Sequence, residues 1–143
     1  MKVFLDTNVL VDFIAGREGA KDASDILQLG KTGGGSVELC ASVLTMANTA
    51  YIARKGRTKE KLCEQLSLLS GLIDVLPMDG EQWLAALYAS AKYIEDALQY
   101  ECAKAAGCDC IVTRNKQDFG FSTIGVLTPK EFLGSFLDSR SYI

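Results

Sequence analysis

Apolar positions along this chain alternate between short continuous runs and stretches of helical spacing. Lys2-Val3-Phe4-Leu5 is an apolar, partly β-branched run that stops at Asp6-Thr7-Asn8, after which Val9, Leu10, Phe13 and Ile14 recur every three or four residues. This predicts a strand followed by a helix. A second helix is expected from about Ala20 to Leu29, ended by Gly30 and the Gly33-Gly34-Gly35 run, whose backbone freedom suits a loop. Val37 to Ala41 reads as a second strand. Ser42 is suited to cap a helix with Leu44, Ala47, Tyr51 and Ile52 as its apolar stripe, ending at Arg54-Lys55-Gly56 with cations at the negative helix end.

Thr58 can cap a further helix carrying Leu62, Leu66 and Leu69, and Ile73 to Leu76 supplies a short strand stopped by Pro77. Asp79 begins a helix lined by Leu84, Leu87 and Tyr88. The Glu95-Asp96 pair opens the next helix, which runs through Ala106 and is terminated by Gly107. Cys110 to Thr113 is expected to be a strand, followed by the polar loop Arg114 to Asp118 and a last short strand from Ile124 to Leu127. Thr128-Pro129-Lys130-Glu131 fits a capping box with proline at the first helical position. Strands separated by helices require right-handed crossovers, so the fold class is α/β, a central parallel sheet flanked by helices in three layers. No repeat or linker composition marks a boundary, and residues 1–143 are expected to form one domain.

Composition narrows the chemistry. With 143 residues, 48% of them hydrophobic and 23% charged, the chain has the make-up of a soluble globular domain. It contains no histidine, which excludes Ser-His-Asp and Cys-His catalysis and any His-ligated metal. The net charge of -3 does not draw in polyanions, so contact with nucleic acid requires a local basic patch. No apolar run approaches the roughly 18 residues of a membrane span, and charge enters early, so a cytoplasmic protein without a membrane segment is expected. Five cysteines, an odd number, point to reduced thiols. Cys108 and Cys110 are expected on one face of a strand, not far from Cys102, but the spacing matches no familiar zinc knuckle and buried thiols under the sheet are the favoured reading. Trp83, Tyr88 and Tyr93 are assigned to the core or a subunit contact in preference to a base-stacking platform.

Ligands of open parallel sheets bind beyond the carboxyl ends of the strands. Asp6 follows the first strand, Asp96 opens a helix and Asp118 lies in the loop after Cys110-Ile111-Val112-Thr113, so folding could gather all three. Taken singly, each has an ordinary role as N-cap, first-turn acid or loop residue. Taken together they repel one another unless a cation neutralises them, and hard oxygen ligands favour Mg2+ or Mn2+. Such ions serve phosphoester chemistry without histidine. The densest cationic run, Arg54 to Lys61, reads as a solvated helix end, whereas Arg114 and Lys116 flank the acidic loop and are candidates for nucleic-acid phosphate contact.

Leu5-Asp6-Thr7-Asn8-Val9-Leu10, Glu95-Asp96-Ala97-Leu98-Gln99 and Ile111-Val112-Thr113-Arg114-Asn115-Lys116-Gln117-Asp118-Phe119, in that order and separation, resemble the PIN-domain family of metal-dependent nucleases. Thr45-Met46-Ala47-Asn48 and Tyr51-Ile52-Ala53-Arg54-Lys55 further resemble its bacterial branch near the VapC toxins, small single-domain endoribonucleases. The resemblance spans about residues 2–127. It implies a PIN-like fold, Mg2+ or Mn2+ as cofactor, RNA as substrate, an antitoxin protein as partner and a homodimer. Asp6 and Asp96 match two of the family's acids. The chain departs from the pattern at Asn48, where many relatives carry glutamate, and at Asn115, where many carry aspartate. Glu95 and Asp118 are candidates to restore the lost charge as metal ligands. Thr7, Asn8 and Thr113 either order water or phosphate or simply start the first helix and its neighbouring loop. Two alternatives stay open: a catalytically degraded PIN-fold module that binds nucleic acid or protein, and a phosphate-transfer or receiver domain, which lacks its expected Asp-x-Asp pair here.

Overall fold

The computed structural model describes residues 1–32 and 35–141. Five parallel strands, β1 (Lys2–Leu5), β2 (Glu38–Ser42), β3 (Asp74–Leu76), β4 (Cys110–Val112) and β5 (Gly125–Leu127), form one sheet in the order β3-β2-β1-β4-β5. The described helices are α1 (Thr7–Ala15), α2 (Ala20–Thr32), α3 (Val43–Ala53), α4 (Lys59–Ser70), α5 (Gly80–Leu87), α6 (Ile94–Ala105) and α7 (Pro129–Ser141). A 3-10 turn, Lys116–Phe119, follows β4. None of the described helices is long and apolar enough to cross a membrane.

Strand alternation divides the core into two layers. Val3, Leu5, Leu39, Ala41, Cys110 and Val112 face one side, packed with residues of α1, α2, α4 and α7. Phe4, Cys40 and Ile111 face the other, where Tyr100, Cys102 and Ala103 of α6 and Phe119 close over them. Being buried on both faces is why the strands read as nearly continuous apolar runs. The capping predictions hold at atomic detail: Ser42 Oγ accepts from Thr45 N at 2.9 Å, and Thr128 and Glu131 exchange bonds of 3.1 and 2.9 Å.

Several local expectations are corrected. The second helix runs through Gly30 to Thr32, because the glycine is there for proximity: a Cβ at Gly30 would lie 2.6 Å from Leu39 Cδ1. Of the glycine run, Gly33 and Gly34 lie outside the described residues. The buried face of α3 is Thr45, Thr49 and Ala53, so Tyr51 and Ile52 stand outward instead of forming a core stripe. Leu84 and Leu87 of α5 and Tyr88 just after it are likewise exposed, with Trp83 and Tyr93, and only Ala86 of that helix is buried. Cys108 precedes β4, and it packs in the α6 layer against Cys40 (Sγ to Sγ 3.3 Å), whereas Cys110 packs in the opposite layer. The two thiols therefore do not share a face.

The predicted cationic helix end has a structural element within it. Arg57 donates to Ile14 O at 2.9 Å and Ala53 O at 3.1 Å, the final turns of α1 and α3, and to Gln65 Oε1 of α4 at 3.0 Å. One guanidinium thus ties three helices, two by the carbonyls that helix ends leave unpaired and the third by a side-chain amide.

Candidate functional site

The chain leaves β1 to one side for β2 and returns to add β4 on the other, so the carboxyl ends of β1 and β4 form the sheet's switch point. Asp6 sits there. Its backbone N donates to Val112 O at 3.0 Å, and its extended conformation makes it the N-cap of α1. Asp6 Oδ1 accepts from Thr7 N at 2.8 Å, and Oδ2 accepts from Thr113 Oγ1 at 2.8 Å and Asn8 Nδ2 at 3.1 Å. Asn8 Oδ1 accepts in turn from Arg114 N at 3.2 Å, and Thr113 Oγ1 from Asn115 N at 3.0 Å. Asn8 and Thr113 therefore clamp the loop after β4 onto the start of α1 and fix the Asp6 carboxylate.

Asp6, Thr7, Asn8, Asn48, Glu95, Asp96, Asn115 and Asp118 all line a single cavity of about 410 Å3. Thr113 is fully buried beneath it. The first turn of α6 presents Glu95 and Asp96, and Asn48 Nδ2 donates to Glu95 Oε1 at 2.6 Å, so α3 holds one of the α6 acids by an amide. Behind them Ser42 Oγ and Thr45 Oγ1 both donate to the buried Gln99 Oε1, at 2.5 and 2.9 Å, which joins the start of α3 to α6.

The gathered acids affect one another. Burial raises the Asp6 carboxyl above its ordinary value, against its three hydrogen bonds, and the Asp118 charge adds to the rise. Asp96 is pushed up to about 7, first by burial and then by the charges of Asp6, Asp118 and Glu95. Among the described residues, Arg17 is the one cationic side chain lining the cavity. Thr7 Oγ1, at the cavity wall, is buried without a hydrogen-bond partner. An all-oxygen donor set with excess negative charge and an unpartnered hydroxyl suits a hard divalent cation with its water. No three acidic or thiol groups among the described residues already stand at ligand spacing.

Two predicted phosphate contacts lie outside this cavity. Arg114 Nε pairs with Asp12 Oδ2 at 2.9 Å, where Asp12 is 2% exposed, and Lys116 Nζ pairs with Glu131 at 3.1 Å. Gly19 packs so closely on Asp12 that a Cβ there would meet Oδ2 at 2.3 Å. Burial raises the Asp12 carboxyl and the Arg114 charge opposes this. Arg114→Gln is therefore expected to cost about 1–3 kcal/mol of stability at pH 8, by removing the ion-paired partner of a buried carboxylate and leaving it only the Arg17 charge. Because burial raises the Asp12 carboxyl, the loss should shrink as the pH is lowered and Asp12 takes up a proton, and melting curves of mutant and wild type across a pH series check it.

Arg17, Tyr51 and Ile52 line the cavity although none of them was assigned a role in the site from sequence. Arg17 lies in the turn after α1, where no motif marks it. Tyr51 and Ile52 were hidden by their assignment to an apolar core stripe, although the polar Thr45 and Thr49 on the other side of α3 are the signal of a buried hydrogen-bonding face.

The sequence profile of the PIN domain matches residues 2–117. No curated protein sequence matches the chain. Among solved structures, VapBC2 from Rickettsia felis, bound to a DNA fragment from its promoter, is similar with a TM-score of 0.67 at 18% identity, covering 89% of this chain and 97% of that one. VapBC-1 from nontypeable Haemophilus influenzae gives 0.68 at 17% identity over 91% and 99%. VapC20 from Mycobacterium tuberculosis, a sarcin-ricin loop cleaving toxin, gives 0.63 at 14% identity over 86% and 98%.

Proposed function

Because this chain belongs to the PIN domain family, we propose that it is a metal-dependent endoribonuclease, the toxin component of a toxin-antitoxin pair, with Mg2+ or Mn2+ as its ion. The observation that carries this reading is the convergence of Asp6, Glu95, Asp96 and Asp118 on one cavity. Asp6 and Asp96 are the principal ligands, and Asp118 and Glu95 assist them. A divalent cation bound by these carboxylates would offset their repulsion and would supply the activation of water that hydrolysis of an RNA phosphodiester needs.

This chain's own residues set the geometry. Thr113 and Asn8 orient the Asp6 carboxylate, and Asn48 holds Glu95 by one oxygen, leaving the other for the cavity. In this reading Asn48 replaces an acid by a positioning amide, which lowers the charge the site must neutralise. With Arg114 and Lys116 held in ion pairs, Arg17 is the better-placed phosphate contact.

The test is incubation of the purified, partner-free protein with a pool of single-stranded and structured RNA, with manganese, with magnesium and with chelator. Cutting in either metal and none in chelator is expected. Absence of cutting by folded protein, together with calorimetry showing no manganese binding that depends on Asp6 and Asp96, would move the reading to a PIN-fold binding module. Asn48 and Asn115, where many relatives carry acids, favour that second reading.

The antitoxin partner is inferred from the VapBC complexes with which the fold is shared. A homodimer is supported by the outward Trp83, Leu84 and Leu87 of α5 with Tyr88 just after it, an apolar set with no cover within the described chain. A solution mass of twice the chain mass is expected, and a monomeric mass at micromolar concentration would exclude it.

A further inference from the structure

An acidic protein with four carboxylates around its cavity has to hold a polyanion with little help from net charge. Base stacking is the contribution to single-strand binding that needs no counter-charge. The cavity rim has an aromatic ring suited to it. Tyr51 lines the cavity and is 66% exposed, more open than any residue of a core stripe. Arg54, which does not line the cavity, sets its guanidinium over the ring at 3.8 Å and also donates to the Tyr51 carbonyl. Asn48, Tyr51 and Arg54 are three residues apart in succession, so they form one ridge of α3 running outward from the acids. Ile52, 41% exposed, lies beside the ring on the cavity wall.

Resting on the nuclease reading above, we propose that Tyr51 is a stacking platform for an unpaired RNA base next to the scissile phosphate. Arg54 backs the ring and limits its rotation, so less freedom is lost when a base stacks on its open face. Asn48, one turn closer to the acids, ties this platform to the Glu95 position. A duplex keeps its bases stacked on one another and cannot use such a ring, so the substrate class is single-stranded RNA or an unpaired loop.

The experiment uses a single-stranded oligoribonucleotide carrying 2-aminopurine, with chelator present so that it stays intact. Wild type is expected to change the 2-aminopurine emission, and Tyr51→Ala to abolish the change and weaken Kd about tenfold. Tyr51→Trp is expected to restore both. In manganese, Tyr51→Ala should raise KM with little effect on kcat. Equal binding and cleavage by Tyr51→Ala overturn the proposal and leave the nuclease standing. Equal affinity for a duplex of the same sequence, or no binding of single strands by wild type, also overturns it. Tyr51-dependent binding by a protein that cuts no RNA in any metal would instead keep the platform and defeat the nuclease. Because Tyr51 is a surface residue, its variants are expected to fold, and a melting curve of each checks this.

Discussion

Asp6→Asn is expected to reduce metal-dependent RNA cleavage by about 100-fold or more, a loss near 3 kcal/mol of transition-state stabilisation, while the fold persists. The expectation follows from what asparagine keeps and what it removes. An asparagine side chain is an equally good N-cap, so the bond from Thr7 N and the start of α1 survive. The amide also fits the space of a carboxylate, but its NH2 takes the place of Oδ2, so the bonds accepted from Thr113 Oγ1 and Asn8 Nδ2 are lost. What disappears is a negative charge that is 8% exposed and whose burial is unfavourable in the metal-free protein. The lost charge and the lost bonds act in opposite directions, so the mutant should stay folded with a melting temperature near that of wild type, and still fail to cut. Loss of activity together with a collapsed melting temperature would show a structural residue only. Retained activity in a folded mutant would defeat the assignment of Asp6 as a principal ligand.

Asp6 was legible in the sequence because a strand ending in Asp-Thr-Asn before a helical pattern has few interpretations. Asp96 and Asp118 were legible by their place after a helix start and a strand end. The capping boxes were readable because they are local: Thr128 and Glu131 need only each other. What escaped was whatever depended on which face of a helix meets the sheet. In α3 the apolar positions Tyr51 and Ile52 mark a stripe, yet the structure buries the hydroxyl face of Thr45 and Thr49, because Gln99 of α6 supplies it with a polar partner. That partner lies 54 residues away and no period reveals it. In α5 the outward Leu84 and Leu87 follow an amphipathic pattern correctly, but the apolar side has no cover within the described chain. Gly30 looked like a helix end because its real reason, contact with Leu39, is tertiary. Arg114 looked free to bind phosphate because the buried Asp12 that holds it is read in sequence as one more surface charge.

The metal-free protein should be less stable at pH 8 than at pH 5.5, and a divalent cation should reverse that order. Asp96 has an ordinary carboxyl value of 3.8 in an unfolded chain and about 7 in the folded one. Below 3.8 both states are protonated and the group has no effect. Between roughly 4 and 7 the unfolded chain gives up its proton while the folded one keeps it, so folding is increasingly disfavoured as pH rises. Above 7 the folded carboxylate ionises too and the loss levels off. The raised Asp6 carboxyl acts in the same direction. A cation competes with these protons, so its affinity should climb through the same interval and flatten once Asp96 is ionised. Melting curves across pH 5 to 9, with chelator and with manganese, measure both effects. Asp96→Asn should flatten the metal-free profile, because an amide has no proton to hold, and should at the same time weaken the manganese effect. A metal-free profile that rises toward pH 8, or one that Asp96→Asn leaves unchanged, would mean that the acids do not share the cavity as described. A profile with the expected fall but no response to manganese would separate the electrostatics from the nuclease reading, since the carboxylates would then be crowded together without serving an ion.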